Sequence, residues 1–230
     1  MTRDATAPPP RRTASGAPRT TPPFVVLLGP DYAGKSSALT ELAEHAPAWP
    51  IVSLDDGFLG PGHSLIGRLR RNLVGDVLPG LHRDYSTDFM VTLLQTAALH
   101  LRDSIERGPP GTPALVDSYY YKILAKCRLA GVDSHPMFDW WRTFPQPRRV
   151  IFLEVSAATA WRRCGQGAQA NSLEFYGEQP EQTSFEKFQS DLRTVMWEEV
   201  RQLPVTVIEE QEQISRTAQK IREAMSHVIW

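Results

Sequence analysis

Cysteine is scarce in this sequence, with only Cys127 and Cys164 among 230 residues and no CxxC pair. Two isolated cysteines give no disulfide framework, and a reducing cytosol is the natural setting for such a chain. Long apolar runs are missing too. None approaches the roughly 20 residues that a membrane-spanning helix requires. Nor does charge of one sign accumulate: 25 basic residues stand against 26 acidic ones, for a formal net charge of -1. Neither nucleic acid nor a membrane surface is an expected partner on that balance. What is present is ordinary for a soluble globular chain, 41% hydrophobic and 22% charged residues. The length suits one α/β domain without a second of comparable size.

Segment 1–22 has almost nothing to bury. It is rich in Pro, Thr, Ala and Arg, including Pro8, Pro9, Pro10, Arg11 and Arg12, and lacks the apolar stretch of a signal peptide. A disordered tail is expected there, followed by a single domain over 23–230.

Within that domain short apolar runs alternate with amphipathic stretches. Phe24 to Leu28 is continuous and ends in glycine, as a strand buried on both faces should. Further strands are read at 51–54, 114–116, 150–153 and 205–208. Helices are read at 35–45, 64–73, 86–107, 119–129, 157–163, 185–203 and 214–228. In the second of these Leu65, Ile66, Leu69 and Leu73 form an apolar stripe, with Arg68, Arg70 and Arg71 opposite. In the third, Phe89, Leu93, Leu94, Ala97 and Leu101 recur at helical spacing. Tyr119, Tyr120 and Tyr121 cannot all face one way, so at least one belongs to the core. Trp140 and Trp141 read as core or interface aromatics. The polar stretch 165–183 reads as a mobile loop, within a lid spanning about 164–184. The pattern predicts a three-layer α/β fold, a mostly parallel five-stranded sheet with helices on both faces. Ligands in such sheets bind beyond the carboxyl ends of the strands. There the Gly29 loop, the Asp55–Asp56 pair and Asp117 come together.

Gly29, Gly34, Lys35 and Ser36 fit the phosphate-binding pattern GxxxxGK[ST], and the loop stands between a strand and a helix. Its glycines let the backbone wrap phosphates, while successive N–H groups and the helix N-terminus supply positive potential. Lys35 can reach the β- and γ-phosphates of ATP, and the Ser36 hydroxyl can hold Mg²⁺. Asp117, ending its strand, is a second metal or catalytic candidate, although Asp also caps helices well.

The sequence resembles the thymidylate kinase family of nucleoside monophosphate kinases. Residues 28–37 look like that family's P-loop, including Asp31 two residues after the first glycine. Residues 117–122 look like its Asp-Arg-Tyr segment, and 152–163 like the strand and helix before its lid. The resemblance implies an ATP- and Mg²⁺-dependent kinase, with Gly29, Asp31, Tyr32, Ala33, Gly34, Lys35, Ser36 and Ser37 around the nucleotide. It further implies Ser36 and Asp117 at the metal and Asp31 at the acceptor's sugar hydroxyl, and it admits a homodimer.

Four departures concern arginine. Leu54, Ser118, the Leu94–Gln95 region and Tyr32 stand where the family places arginines, and 165–185 contains no Lys or Arg. A dianionic acceptor needs fixed positive charge. Arg162 and Arg163, among other basic residues, could supply some of it from new positions. Asp55 and Asp56 would repel a phosphate but suit a hydroxyl acceptor as general base, although Asp-Asp-Gly is also a good turn. The expected function is transfer of the γ-phosphoryl group of ATP to a small hydroxyl-bearing acceptor, nucleoside-like or a natural product. The alternatives are a monophosphate kinase with relocated arginines and a nucleotide-binding regulatory protein with little chemistry.

Overall fold

A computed structural model describes residues 21–45 and 49–226. The tail read at 1–22 lies outside that range except for its last two residues, as does the end of the last helix beyond 226.

Five strands form one parallel sheet: β1 (Phe24–Leu28), β2 (Ile51–Val52), β3 (Ala114–Asp117), β4 (Arg149–Leu153) and β5 (Val205–Ile208). Their order is β2-β3-β1-β4-β5, with Val26 opposite Val116 on one side and Val150 on the other. Every residue of β1 is buried, which is why its sequence is apolar throughout instead of alternating. The chain passes from β1 to β2 on one side and later from β3 across to β4 on the other side of β1, so a crevice opens at the carboxyl end of β1.

Helices cover both faces. On one, α1 (Lys35–His45) and the C-terminal helix α8 (Ile214–Ser226) pack Leu39, Leu42, Ile221 and Met225 against Val25 and Leu27. On the other lie α3 (Thr87–Glu106), α4 (Tyr119–Leu129) and α7 (Gln182–Val200), with α2 (Ser64–Asn72) beside α3. The short helices α5 (Pro136–Arg142) and α6 (Ala157–Arg163) complete the chain. Ser86 caps α3 by accepting from Phe89 N at 3.1 Å, and Ser156 caps α6 by accepting from Thr159 N at 3.1 Å.

Several boundaries differ from the sequence reading. Strand β2 stops at Val52 because Ser53 turns its hydroxyl to the Asp55 N–H and the Asp117 carboxylate. Helix α7 starts at Gln182 and ends at Val200, about three residues earlier at each end than its apolar pattern suggests. Helix α5 is an addition. Pro136 opens it, the His135 ring accepts from Met137 N, and Trp141 is wholly buried while Trp140 is half exposed. All three tyrosines are buried, because α4 is enclosed by α3, α7 and the segment after α5. Tyr119 donates to Pro145 O at 3.2 Å and Tyr121 to Gln146 Oε1 at 2.8 Å, so their hydroxyls are satisfied there. Among the described residues no helix is long and apolar enough to cross a membrane.

Candidate active site

Beyond the end of β1 the chain makes a tight loop over 29–34 before α1 begins at Lys35. Gly29 has φ of +151°, and a Cβ there would lie 2.5 Å from the Leu153 carbonyl oxygen of β4. Only glycine fits. Gly34 also needs its φ of +90°, whereas Tyr32 holds a φ of +59° with a full side chain. The loop thereby presents its backbone to the crevice. Lys35 is buried beneath it and donates to the carbonyls of Gly29 at 3.0 Å and Pro30 at 2.8 Å. Burial and the neighbouring Lys122 ammonium push Lys35 well below the ordinary lysine range, against the pull of Asp117 and Asp31.

Oxygen donors gather beside it. Ser36 Oγ donates to Asp55 Oδ2 at 2.7 Å, and Arg70 donates to Asp55 Oδ1 at 2.6 Å. Burial alone would raise the Asp55 carboxyl, but Ser36 and Arg70 together hold it below the usual range and ionised. Ser53 Oγ donates to Asp117 Oδ2 at 3.0 Å and accepts from Asp55 N at 3.1 Å, tying the Asp117 carboxylate to the backbone at Asp55. Ser118 donates to Asp117 Oδ1 at 2.8 Å from a left-handed backbone (φ +59°). The Ser36 hydroxyl and the Asp117 carboxylate are hard oxygen ligands of the kind that suits Mg²⁺, so they fit the metal that the loop implies.

Of the expected site residues, Asp31, Tyr32, Gly34, Lys35, Ser36 and Ser37 line one cavity together with Asp55, Asp117 and Arg163. Ala33 is buried behind the loop. Two residues stand apart. Asp56 is exposed and pairs with Arg71 at 2.5 Å, away from the cavity wall, as a turn residue would be. Arg162 donates to Thr159 Oγ1 at 2.8 Å on its own helix and is not on the wall either. Arg163 reaches the Tyr32 carbonyl at 3.1 Å and Glu210 at 3.3 Å.

A buried charge cluster, largely missed in the sequence, lies behind the loop. Asp31 Oδ1 is 2.7 Å from Lys122 Nζ, and its Oδ2 is 3.0 Å from Lys126 Nζ and 3.2 Å from Gln189 Nε2. Burial would raise the Asp31 carboxyl, but the ammonium groups of Lys122, Lys126 and Lys35 overcome it and hold the group far below normal. Lys126 also pairs with Glu174 at 3.5 Å, and Glu174 accepts from the Tyr32 hydroxyl at 3.0 Å. Tyr32 thus stitches the loop to segment 164–181, whose Leu173, Glu174 and Phe175 are buried. That segment has turns but no helix or strand, and it is anchored over the loop. The usable signal was the i, i+4 spacing of Lys122 and Lys126 on one helix face.

The cavity holds about 730 Å³. The P-loop, the oxygen donors and Lys122 and Lys126 of α4 make one part of its wall; apolar side chains of α2 and α3, with Leu54 and Ile123, make another.

A scan of protein-family models gives no match, and no curated protein matches by sequence. Solved structures do match. A thymidylate kinase from Candida albicans aligns at a TM-score of 0.57 and 14% identity, over 90% of this chain and 92% of that one. A deoxyadenosine kinase from M. mycoides, solved with bound dATP, aligns at 0.57 and 15% identity, over 88% and 98%. The chain has the P-loop kinase fold. The three-layer arrangement expected from the sequence is therefore the one found, and the loop at Gly29 lies at the carboxyl end of β1, between β3 and β4.

Proposed function

We propose that this protein transfers the γ-phosphoryl group of ATP to the hydroxyl group of a small, uncharged acceptor. The loop 29–36 supports the nucleotide half of this reading: it combines a backbone that only glycine permits at Gly29 with a buried Lys35 directed at backbone carbonyls. Lys35 balances charge on the transferring group. Ser36 and Asp117 would hold Mg²⁺, which when bound offsets phosphate charge and fixes the in-line geometry. Lys122, whose Nζ reaches Gly29 O at 3.3 Å, stands beside Lys35 and is itself held by Asp31 behind the loop.

The acceptor half rests on one observation. Of the cations on the cavity wall, Arg70 is held by Asp55, Lys122 and Lys126 by Asp31 and Glu174, and Arg163 by Glu210. Among the described residues, Lys35 alone of these lacks a carboxylate partner, and the nucleotide requires it. No spare cation is left for a second phosphate. Asp55, ionised and on the wall between Ser36 and Arg70, is placed to accept the proton of a hydroxyl. The acceptor oxygen attacks the γ-phosphorus, the bond from that phosphorus to the bridging oxygen breaks, and ADP leaves with the electron pair. The acceptor's proton passes to Asp55. One structural neighbour is named for a nucleoside and the other for a nucleotide, at equal TM-score, so the fold does not choose between acceptors and the side chains must.

Titration with a fluorescent ATP analogue, with and without Mg²⁺, tests the nucleotide half. Wild type should bind, and Lys35→Ala should bind at least about tenfold more weakly. Equal binding by both would remove the P-loop from the account.

A further inference from the structure

Resting on the kinase reading, we infer that the acceptor is an alcohol with a hydrophobic body, seated with its hydroxyl at Asp55 and its body among aliphatic side chains. The reason begins in two helices. The apolar stripe of α2 turns to the cavity: Ile66 and Leu69 line it, and Leu73, just past the helix, lines it from a buried position at the edge of the main core. Helix α3 has two apolar faces. Met90, Val91, Ala98, Leu101 and Ile105 fill the core, and Leu93 and Leu94, half-buried at its edge, form the cavity wall with Ala97. Leu54, Val74, Ile123 and Leu173 continue this surface, and Val74 is 38% exposed. A helix that turns its apolar stripe toward an open cavity has that surface hydrated until something apolar covers it.

Most of the polar groups that could read a nucleobase edge at the aliphatic end are already engaged. Thr96 Oγ1 donates to Leu93 O at 2.6 Å, within its own helix. Gln95, the one amide on α3, points the other way and accepts from the Trp141 indole. Arg70 is spent on Asp55 and on the Leu54 carbonyl. Asn171 is committed to Glu174 at 2.6 Å, and Gln169 lies at the Tyr32 end, away from the leucines, where its backbone carbonyl accepts from the Tyr32 hydroxyl and its side-chain amide faces the charged end of the cavity. The cavity is therefore amphiphilic, with charge gathered at the P-loop end and aliphatic carbon at the other. A nucleoside would leave its base heteroatoms unpaired against leucine, at a cost that a hydrophobic skeleton avoids. The ligand class that matches is one hydroxyl on an apolar frame.

A homologous series tests this without requiring turnover. Binding of butan-1-ol, hexan-1-ol, octan-1-ol and decan-1-ol is measured by calorimetry in the presence of a non-hydrolysable ATP analogue, alongside thymidine and deoxyadenosine. Affinity should rise by roughly fourfold for each added methylene until the cavity is filled. Octan-1-ol should bind tighter than either nucleoside, and Leu94→Asn should cut its affinity at least about tenfold while leaving the ATP analogue's affinity unchanged. Affinity that is flat along the series, or a nucleoside that binds tighter than every alcohol, overturns the inference. Failure of the kinase reading is separate, because it would show as lost or Lys35-independent binding of the ATP analogue in the same titrations.

Discussion

Lys122 Nζ lies 2.7 Å from Asp31 Oδ1, with the two side chains only 12% and 10% exposed. Lys126 shares the same carboxylate at 3.0 Å, so one buried acid steadies two buried ammonium groups behind the phosphate-binding loop. Removing the acid should be expensive. Asp31→Asn should cost about 3–5 kcal/mol by leaving uncompensated charge in the interior. Adding Lys122→Met should recover part of that loss. The sign with pH follows from the depressed Asp31 pKa. Its contribution is complete above the unfolded value near 4 and disappears as pH falls through the folded value. Urea denaturation of wild type and Asp31→Asn should differ fully at pH 6 and progressively less below about pH 4. A gap that is the same at pH 3 and pH 6 would show that the pair does not act through Asp31 ionisation.

Gly29 offers a second check, on the loop itself. A methyl group there meets the Leu153 backbone and adds a residue whose φ of +151° is strained. Gly29→Ala should destabilise the domain by at least about 2 kcal/mol and weaken nucleotide binding. Gly57→Ala is the control, since nothing lies within 4 Å of its added Cβ, and its Tm should stay within a degree or two of wild type.

Tyr32 joins the loop to segment 164–181 through Gln169 O and Glu174. That segment is proposed as the lid. Nucleotide should slow its amide exchange more than that of the sheet, and Tyr32→Phe should speed exchange at 169–176 in the free protein. Protection that neither ligand nor substitution changes would make it a fixed surface loop.

The strands and the P-loop were legible in the sequence because each depends on local signals. Phe24 to Leu28 must be apolar if both faces are covered, and Gly29 must be glycine if Leu153 is to approach. Helix α5 was not legible: seven residues with two tryptophans carry no periodicity to read, and a capping histidine with proline decides it. The cavity-facing stripe of α2 looked identical to a core-facing one, since hydropathy records what is apolar and not what it meets. The pairing of Arg70 with Asp55, and of Lys122 and Lys126 with Asp31, spans 15 and more than 90 residues respectively. No local pattern encodes those distances. Asp56 could not be told from Asp55 until the turn separated them, one onto the wall and the other onto Arg71.

Substitutions at the reaction end should divide by role. Lys35→Ala should lower phosphoryl transfer by about 10²-fold or more. Asp55→Asn should depress kcat more than KM, as expected for a group that acts on the acceptor's proton in the transition state. Ser36→Ala should raise the Mg²⁺ concentration needed for half-maximal rate without unfolding the domain. Circular dichroism beside steady-state kinetics checks all three. A kcat for Asp55→Asn equal to that of wild type would remove Asp55 from the chemistry.

The central claim is that the acceptor is a neutral hydroxyl and not a phosphate. Two like charges about 4 Å apart at an effective dielectric near 20 repel by roughly 4 kcal/mol; the Arg70 guanidinium paired with Asp55 at 2.6 Å reduces this, and among the described residues the wall carries no unpaired cation but Lys35 to offset the rest. Even half of that repulsion corresponds to more than a tenfold penalty on a charged acceptor. The direct measurement is γ-phosphate transfer from labelled ATP to octan-1-ol, thymidine and dTMP, each followed by product mass. The account predicts that the neutral alcohols exceed dTMP by at least about tenfold in kcat/KM, with octan-1-ol ahead of thymidine. Turnover of dTMP that exceeds both alcohols would contradict it.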